Sequence, residues 1–72
     1  MTTKRLARKR LQHLRVEHEL SQEAVATKAG IKLARYWYLE SAGGPATADE
    51  VKAIAKALKV PQRDITQPEA TQ

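Results

Sequence analysis

The chain has 72 residues and no cysteine, enough for one small domain that neither a disulfide framework nor a thiolate zinc site can staple together. Twelve of its 30 apolar residues are alanine, so the core is small and a stabilising partner is expected. The net charge of +5 is concentrated at one end: residues 1–15 hold six of the 13 Lys and Arg and none of the eight acids.

The first predicted helix runs from Thr3 to His18, with Ala7, Leu11 and Leu14 on one stripe at i, i+4, i+7. Its basic residues, Lys4, Arg5, Arg8, Lys9, Arg10 and Arg15, oppose the helix dipole at the N-terminal end and add little local stability. A solvated, solubilising end and a polyanion contact both fit such a run, and of the anionic partners nucleic acid fits better than a membrane. A membrane-surface helix needs bulky apolar residues opposite the charges, and the core needs Leu6, Leu11 and Leu14. No apolar run approaches the ~20 residues of a bilayer span, and the N-terminus lacks the apolar stretch of a secretory signal. The expectation is a soluble, cytoplasmic module.

Ser21 reads as the N-cap of a second helix with Glu23 in its first turn, and Leu20 and Val25 as its hydrophobic staple. Gly30 ends that helix as a left-handed residue, and Ile31 follows as a buried plug. A third helix spans Lys32 to Ser41 and stops at Gly43, Gly44 and Pro45. Thr47 and Glu50 form a capping box for a fourth helix, whose Val51, Ile54, Ala55 and Leu58 share a face. Pro61 suits the first turn of a short fifth helix reaching Ile65. The predicted organisation is a basic N-terminal arm (1–5), an all-α domain (6–65) and a flexible C-terminal tail (66–72).

The stretch from Leu20 to Ile31 is the most informative. Two short helices joined by a tight glycine turn cross steeply, which is helix-turn-helix geometry, with the second helix free to enter a major groove. Small Ala26 suits the closest approach of the helices. On these residues the chain resembles the phage-repressor Cro/CI-type, or XRE-like, helix-turn-helix family. Leu20-Ser21-Gln22-Glu23 matches its opening; Leu11, Leu14 and Arg15 match its first helix; Val51, Ile54 to Leu58 and Val60 match its fourth helix and the next turn. The resemblance covers about Leu6 to Ile65. It implies a compact five-helix, lambda-repressor-like DNA-binding domain, dimeric on two half-sites one helical turn apart. It also implies a structural ion pair between Arg15 and Glu40.

In the third helix, the 100° step per residue puts Tyr36 and Leu39 inward, Ala34 and Tyr38 outward, Arg35 and Trp37 on the flanks, and Leu33 nearer the core side, though in the first turn that points at base edges. By resemblance the base-reading positions map to Leu33, Ala34 and Tyr38, with Arg35 beside them. Gln22 then bonds a phosphate or braces the first reader, and Lys32 contacts a phosphate. The family commonly carries polar readers here, and often Ser or Thr where this chain has Lys32. Leu33 and Ala34 can only press on thymine methyl groups, whereas Arg35 can make a bidentate guanine contact. Ala42 occupies the place of a family glycine, so Gly43 is expected to cap the helix one residue later. Tyr36 is expected in the core. Trp37 is expected half-buried against the loop before the fourth helix, or else exposed as a partner anchor.

His13 and His18 are five apart and form no i, i+4 metal pair. Ser21 has a cap to make and no evident base, and no phosphate-binding glycine loop exists. The expectations are therefore no enzyme activity, no cofactor, no metal and no small-molecule substrate. The expected function is a sequence-specific DNA-binding transcriptional regulator, a repressor that binds double-stranded DNA as a homodimer joined around Val60 and Ile65. The alternative is a protein-interaction module on the same fold, an antitoxin or antirepressor-like adaptor that uses Trp37, Tyr38 and Leu33.

Overall fold

The computed structural model describes residues 3–43 and 45–66. Four α-helices carry the fold: α1 (Arg8–Glu17), α2 (Gln22–Ala29), α3 (Leu33–Ala42) and α4 (Ala48–Leu58). Two short strands, β1 (Thr3–Lys4) and β2 (Ala46–Thr47), pair antiparallel, with Thr3 opposite Thr47 and Lys4 opposite Ala46. The fifth helix expected after Pro61 is a single 3-10 turn, Gln62–Asp64.

Local chemistry sets most of these boundaries. The Ser21 hydroxyl accepts from the Ala24 amide at 3.0 Å, satisfying a donor that the start of α2 leaves open. Gly30 turns left-handed at φ 72°, and Ile31 donates its amide to the Ala26 carbonyl at 2.9 Å, so the chain leaves α2 abruptly. The capping box of α4 is complete: the Thr47 amide donates to Glu50 Oε1 at 3.0 Å, and the Glu50 amide to Thr47 Oγ1 at 3.1 Å.

The N-terminal segment departs from expectation. Residues 3–7 are not the first turns of α1 but extended chain, tied to β2 by strand pairing, to Gly43 through the Leu6 amide (3.2 Å) and to Ile65 through the Ala7 amide (2.9 Å). Leu6 also bridges Thr66, the first residue of the predicted tail; residues 67–72 lie outside the described region. Residues 3–5 of the expected arm are thereby held along the body, through the pairing of Thr3 and Lys4 with β2.

The core is centred on α4. Val51, Ile54, Ala55 and Leu58 share one buried cluster with Val25 and Ala26 of α2, Tyr36 and Leu39 of α3, and Leu11 of α1. Leu6, Ala46 and Ile65 close it from the non-helical segments. Ile65 is wholly buried in its own chain, which corrects the expectation that it contacts a second copy.

The two left-handed glycines differ in what surrounds them. At Gly30 a methyl group would meet nothing within 4 Å, whereas at Gly43 (φ 82°) it would lie 2.8 Å from Arg8 Cγ. Arg8 lies there because its guanidinium donates to the Ser41 carbonyl at 2.7 Å, capping the negative end of α3. This basic residue thus stabilises another helix's C-terminus rather than opposing its own. We expect Gly30→Ala to cost about 1–2 kcal/mol, the left-handed penalty alone, and Gly43→Ala to cost more. Adding Arg8→Ala to Gly43→Ala should recover the excess in urea unfolding, and strictly additive losses would contradict the contact.

Candidate nucleic-acid interface

Helix α3 has no side-chain cap. Lys32 occupies its N-cap position and is exposed. The helix is held instead by what it buries. Tyr36, Leu39 and Glu40 face inward, while Leu33 (46% exposed), Ala34, Trp37 (56%) and Tyr38 (42%) face solvent. The outward direction expected of Leu33, Ala34 and Tyr38 is therefore observed. Of the two placements expected of Trp37, its exposure fits the second, an exposed aromatic, better than half burial.

The inner side is fixed by a buried carboxylate. Glu40, 1% exposed, accepts hydrogen bonds from four donor groups on three side chains. Arg15 contributes Nε at 2.8 Å and Nη2 at 3.2 Å, Gln22 contributes Nε2 at 2.8 Å, and Tyr36 its hydroxyl at 2.6 Å. Arg15 also donates Nη1 to the Leu20 carbonyl at 2.8 Å, so one guanidinium joins α1, the turn before α2 and the end of α3. The Arg15–Glu40 ion pair implied by the resemblance is present. Gln22, expected at a phosphate or a base reader, is half-buried and engaged with Glu40.

Such a carboxylate is tolerated only because its lone pairs are occupied. Among the described residues, no buried side-chain nitrogen or oxygen lacks a partner. Burial alone would push the Glu40 carboxyl up, but hydrogen bonds from Arg15, Tyr36 and Gln22, with the Arg15 charge, hold it below the usual glutamate value. Burial first, and then the neighbouring carboxylate, push the Tyr36 phenol well above its ordinary value.

A second ion pair corrects the reading of Arg35 as an available guanine reader. Its guanidinium makes a bidentate contact to Glu50, with Nε to Oε2 at 2.8 Å and Nη2 to Oε1 at 2.9 Å, and Nη2 also reaches the Pro45 carbonyl at 3.4 Å. It lies 5.6 Å from the centroid of the Tyr38 ring, within cation–π range. Glu50 is the residue that sequence reasoning used for one role and structure uses for two: it caps α4 and anchors α3. Its 15-residue separation from Arg35 gave no local signal. Tyr36 and Glu40, by contrast, are spaced i, i+4 on one helix, and that spacing could have revealed their contact.

The hydrogen bonds from Arg35 to Glu50 hold that carboxyl below the usual glutamate value as well. Both acids therefore contribute stability that is fully present above the unfolded glutamate pKa, about 4.3, and lost as pH falls through their depressed folded values. We expect the urea midpoint to drop as pH is lowered below about 4, with a shallower fall in Glu50→Gln. Parallel profiles for the two proteins would contradict this.

Among the described residues no group of three or more His, Cys, Asp or Glu could hold a metal, and no helix is long and apolar enough to cross a membrane. The architecture that emerges is a pair of short helices locked by a glycine turn, with the second exposing one face between anchored ends. It is similar to the crystal structure of the restriction-modification controller protein C.AhdI from Aeromonas hydrophila, with a TM-score of 0.73 and 27% identity, over 78% of this chain and 85% of that chain. No curated protein sequence matches the chain. A family described as "Helix-turn-helix domain" matches residues 6–67. Over that span, nearly its whole length, the chain belongs to the helix-turn-helix domain family, of the XRE-like type.

Proposed function

We propose that the protein is a DNA-binding transcription regulator, acting as a repressor, that lays the exposed face of α3 in the major groove of double-stranded DNA. The observation that carries this reading is the outward presentation of Leu33, Ala34 and Tyr38 from a helix whose other side is clamped by Glu40 and Glu50. The likeness to C.AhdI, a restriction-modification controller protein, supports a regulatory role. Lys32 at the start of α3 and the exposed basic residues Arg5, Lys9 and Arg10 supply cations for the phosphates. Two copies on adjacent half-sites fit the family, with binding as the whole of the activity and no catalytic step.

Duplexes selected from a random pool and titrated with salt test this reading. Each phosphate neutralised should contribute a slope of about −0.9 in log K against log salt. A flat plot overturns the mechanism. Lys32→Ala should weaken all sequences alike.

A second reading draws on Trp37, whose 56% exposure suits a hot-spot anchor for a protein partner on the same face. Alanine at Trp37 and Tyr38 separates the two: lost partner capture with unchanged DNA affinity favours the interaction module.

A further inference from the structure

We infer that the outer face of α3 recognises the 5-methyl group of pyrimidines in the major groove, thymine and 5-methylcytosine alike, with Arg35 retained by Glu50 rather than reading a base. The inference rests on the DNA-binding reading above and names what that face selects.

At the N-terminal end of α3, which points at base edges in this motif, the exposed side chains are Leu33 and Ala34, followed one turn later by Trp37 and Tyr38. Neither Leu33 nor Ala34 can donate or accept a hydrogen bond. The cation closest to them in sequence on the helix, Arg35, already spends Nε and Nη2 on Glu50. Withdrawing it would strip a mostly buried carboxylate of its charged partner. Arg35 also lies over the Tyr38 ring, which holds that aromatic group beside the apolar pair.

Against such a surface the four bases are unequal. Guanine, adenine and unmodified cytosine present donors or acceptors that leucine and alanine would desolvate without replacement, whereas thymine adds a methyl group. 5-Methylcytosine carries the same methyl at the same ring position. Leu33 and Ala34, which carry no polar group, have no means to distinguish the O4 of one from the N4 of the other. The occupant is anionic by charge complementarity: exposed Lys28 and Lys32 stand at the turn just ahead of Leu33, in a chain of net charge +5.

The test uses the full chain and a duplex selected from a random pool. Replacing one contacted thymidine by deoxyuridine removes only the methyl group and should weaken binding about four-fold, the value of one buried methyl-sized group. Replacing the same T·A pair by 5-methylcytosine·G should retain affinity, and replacing it by unmethylated C·G should weaken binding by the same factor as deoxyuridine. Leu33→Ser alters an exposed position, so the variant should fold, keep the salt slope and lose the methyl effect. Arg35→Gln should leave the methyl effect intact. Tight, salt-sensitive binding that is indifferent to deoxyuridine overturns this inference and leaves the DNA-binding reading standing. So does a guanine preference at one position that disappears in Arg35→Gln. Failure to enrich any duplex, with a flat salt plot, overturns both.

Discussion

Glu40→Ala is expected to cost about 3–5 kcal/mol, the loss typical of breaking a buried ion pair from one side. A domain of 72 residues has about 4–11 kcal/mol to lose, so much of the population should unfold near physiological temperature. The cause is specific. Removing the carboxylate leaves the Arg15 guanidinium, the Gln22 amide and the buried Tyr36 hydroxyl facing an empty acceptor site where Glu40 was 1% exposed. Tyr36→Phe removes only one donor and leaves Glu40 with Arg15 and Gln22, so about 1.5–3 kcal/mol is expected. Urea unfolding of both variants at neutral pH gives the comparison. A Glu40→Ala loss smaller than that of Tyr36→Phe would mean the carboxylate does not organise the cluster.

The second large effect is expected at Leu6→Ala, about 2–5 kcal/mol as for other fully buried leucines. Leu6 has no exposed surface and sits where the N-terminal segment meets Gly43 and Thr66, so truncating it opens a cavity at the junction of three chain segments. Val16→Ala makes a matched control. Val16 is 62% exposed, and its truncation should change stability by less than about 0.5 kcal/mol. Equal losses at the two sites would mean that the segment from Thr3 to Leu6 is not fastened to the body.

The parts of this fold that could be read from the chain are those whose cause is local. Ser21, Gly30, and the Thr47–Glu50 box each act within four residues, and their spacing alone specifies both ends of α2 and the start of α4. The apolar stripe of α4 needed only its own period. Strands β1 and β2 have two residues each, too short for any alternation to register, and so the helical pattern of α1 was carried too far towards the N-terminus. The short segment after Pro61 tightened to a 3-10 turn that spans three residues, less than one full α-helical turn.

At the site, the inside and outside of α3 followed from its 100° period, and the outward positions of Ala34 and Tyr38 were legible for that reason; the same period put Leu33 nearer the core side, and its exposure goes with its place in the first turn. The partners of Arg35 and Gln22 were not. Both side chains are long, polar and placed near surface positions, and what withdrew them from solvent was a carboxylate 15 or 18 residues away. Arg8 escaped in the same way, because its partner is a backbone carbonyl 33 residues distant.

The double duty of Glu50 has a kinetic side. The same oxygen, Oε1, receives the Thr47 amide and the Arg35 guanidinium. Fraying of the first turn of α4 therefore loosens the tether on α3, and the two helices should breathe as one hydrogen-exchange unit rather than two. Immobilising α3 on a duplex should then slow amide exchange at Glu50, a backbone position in the first turn of α4 rather than on α3.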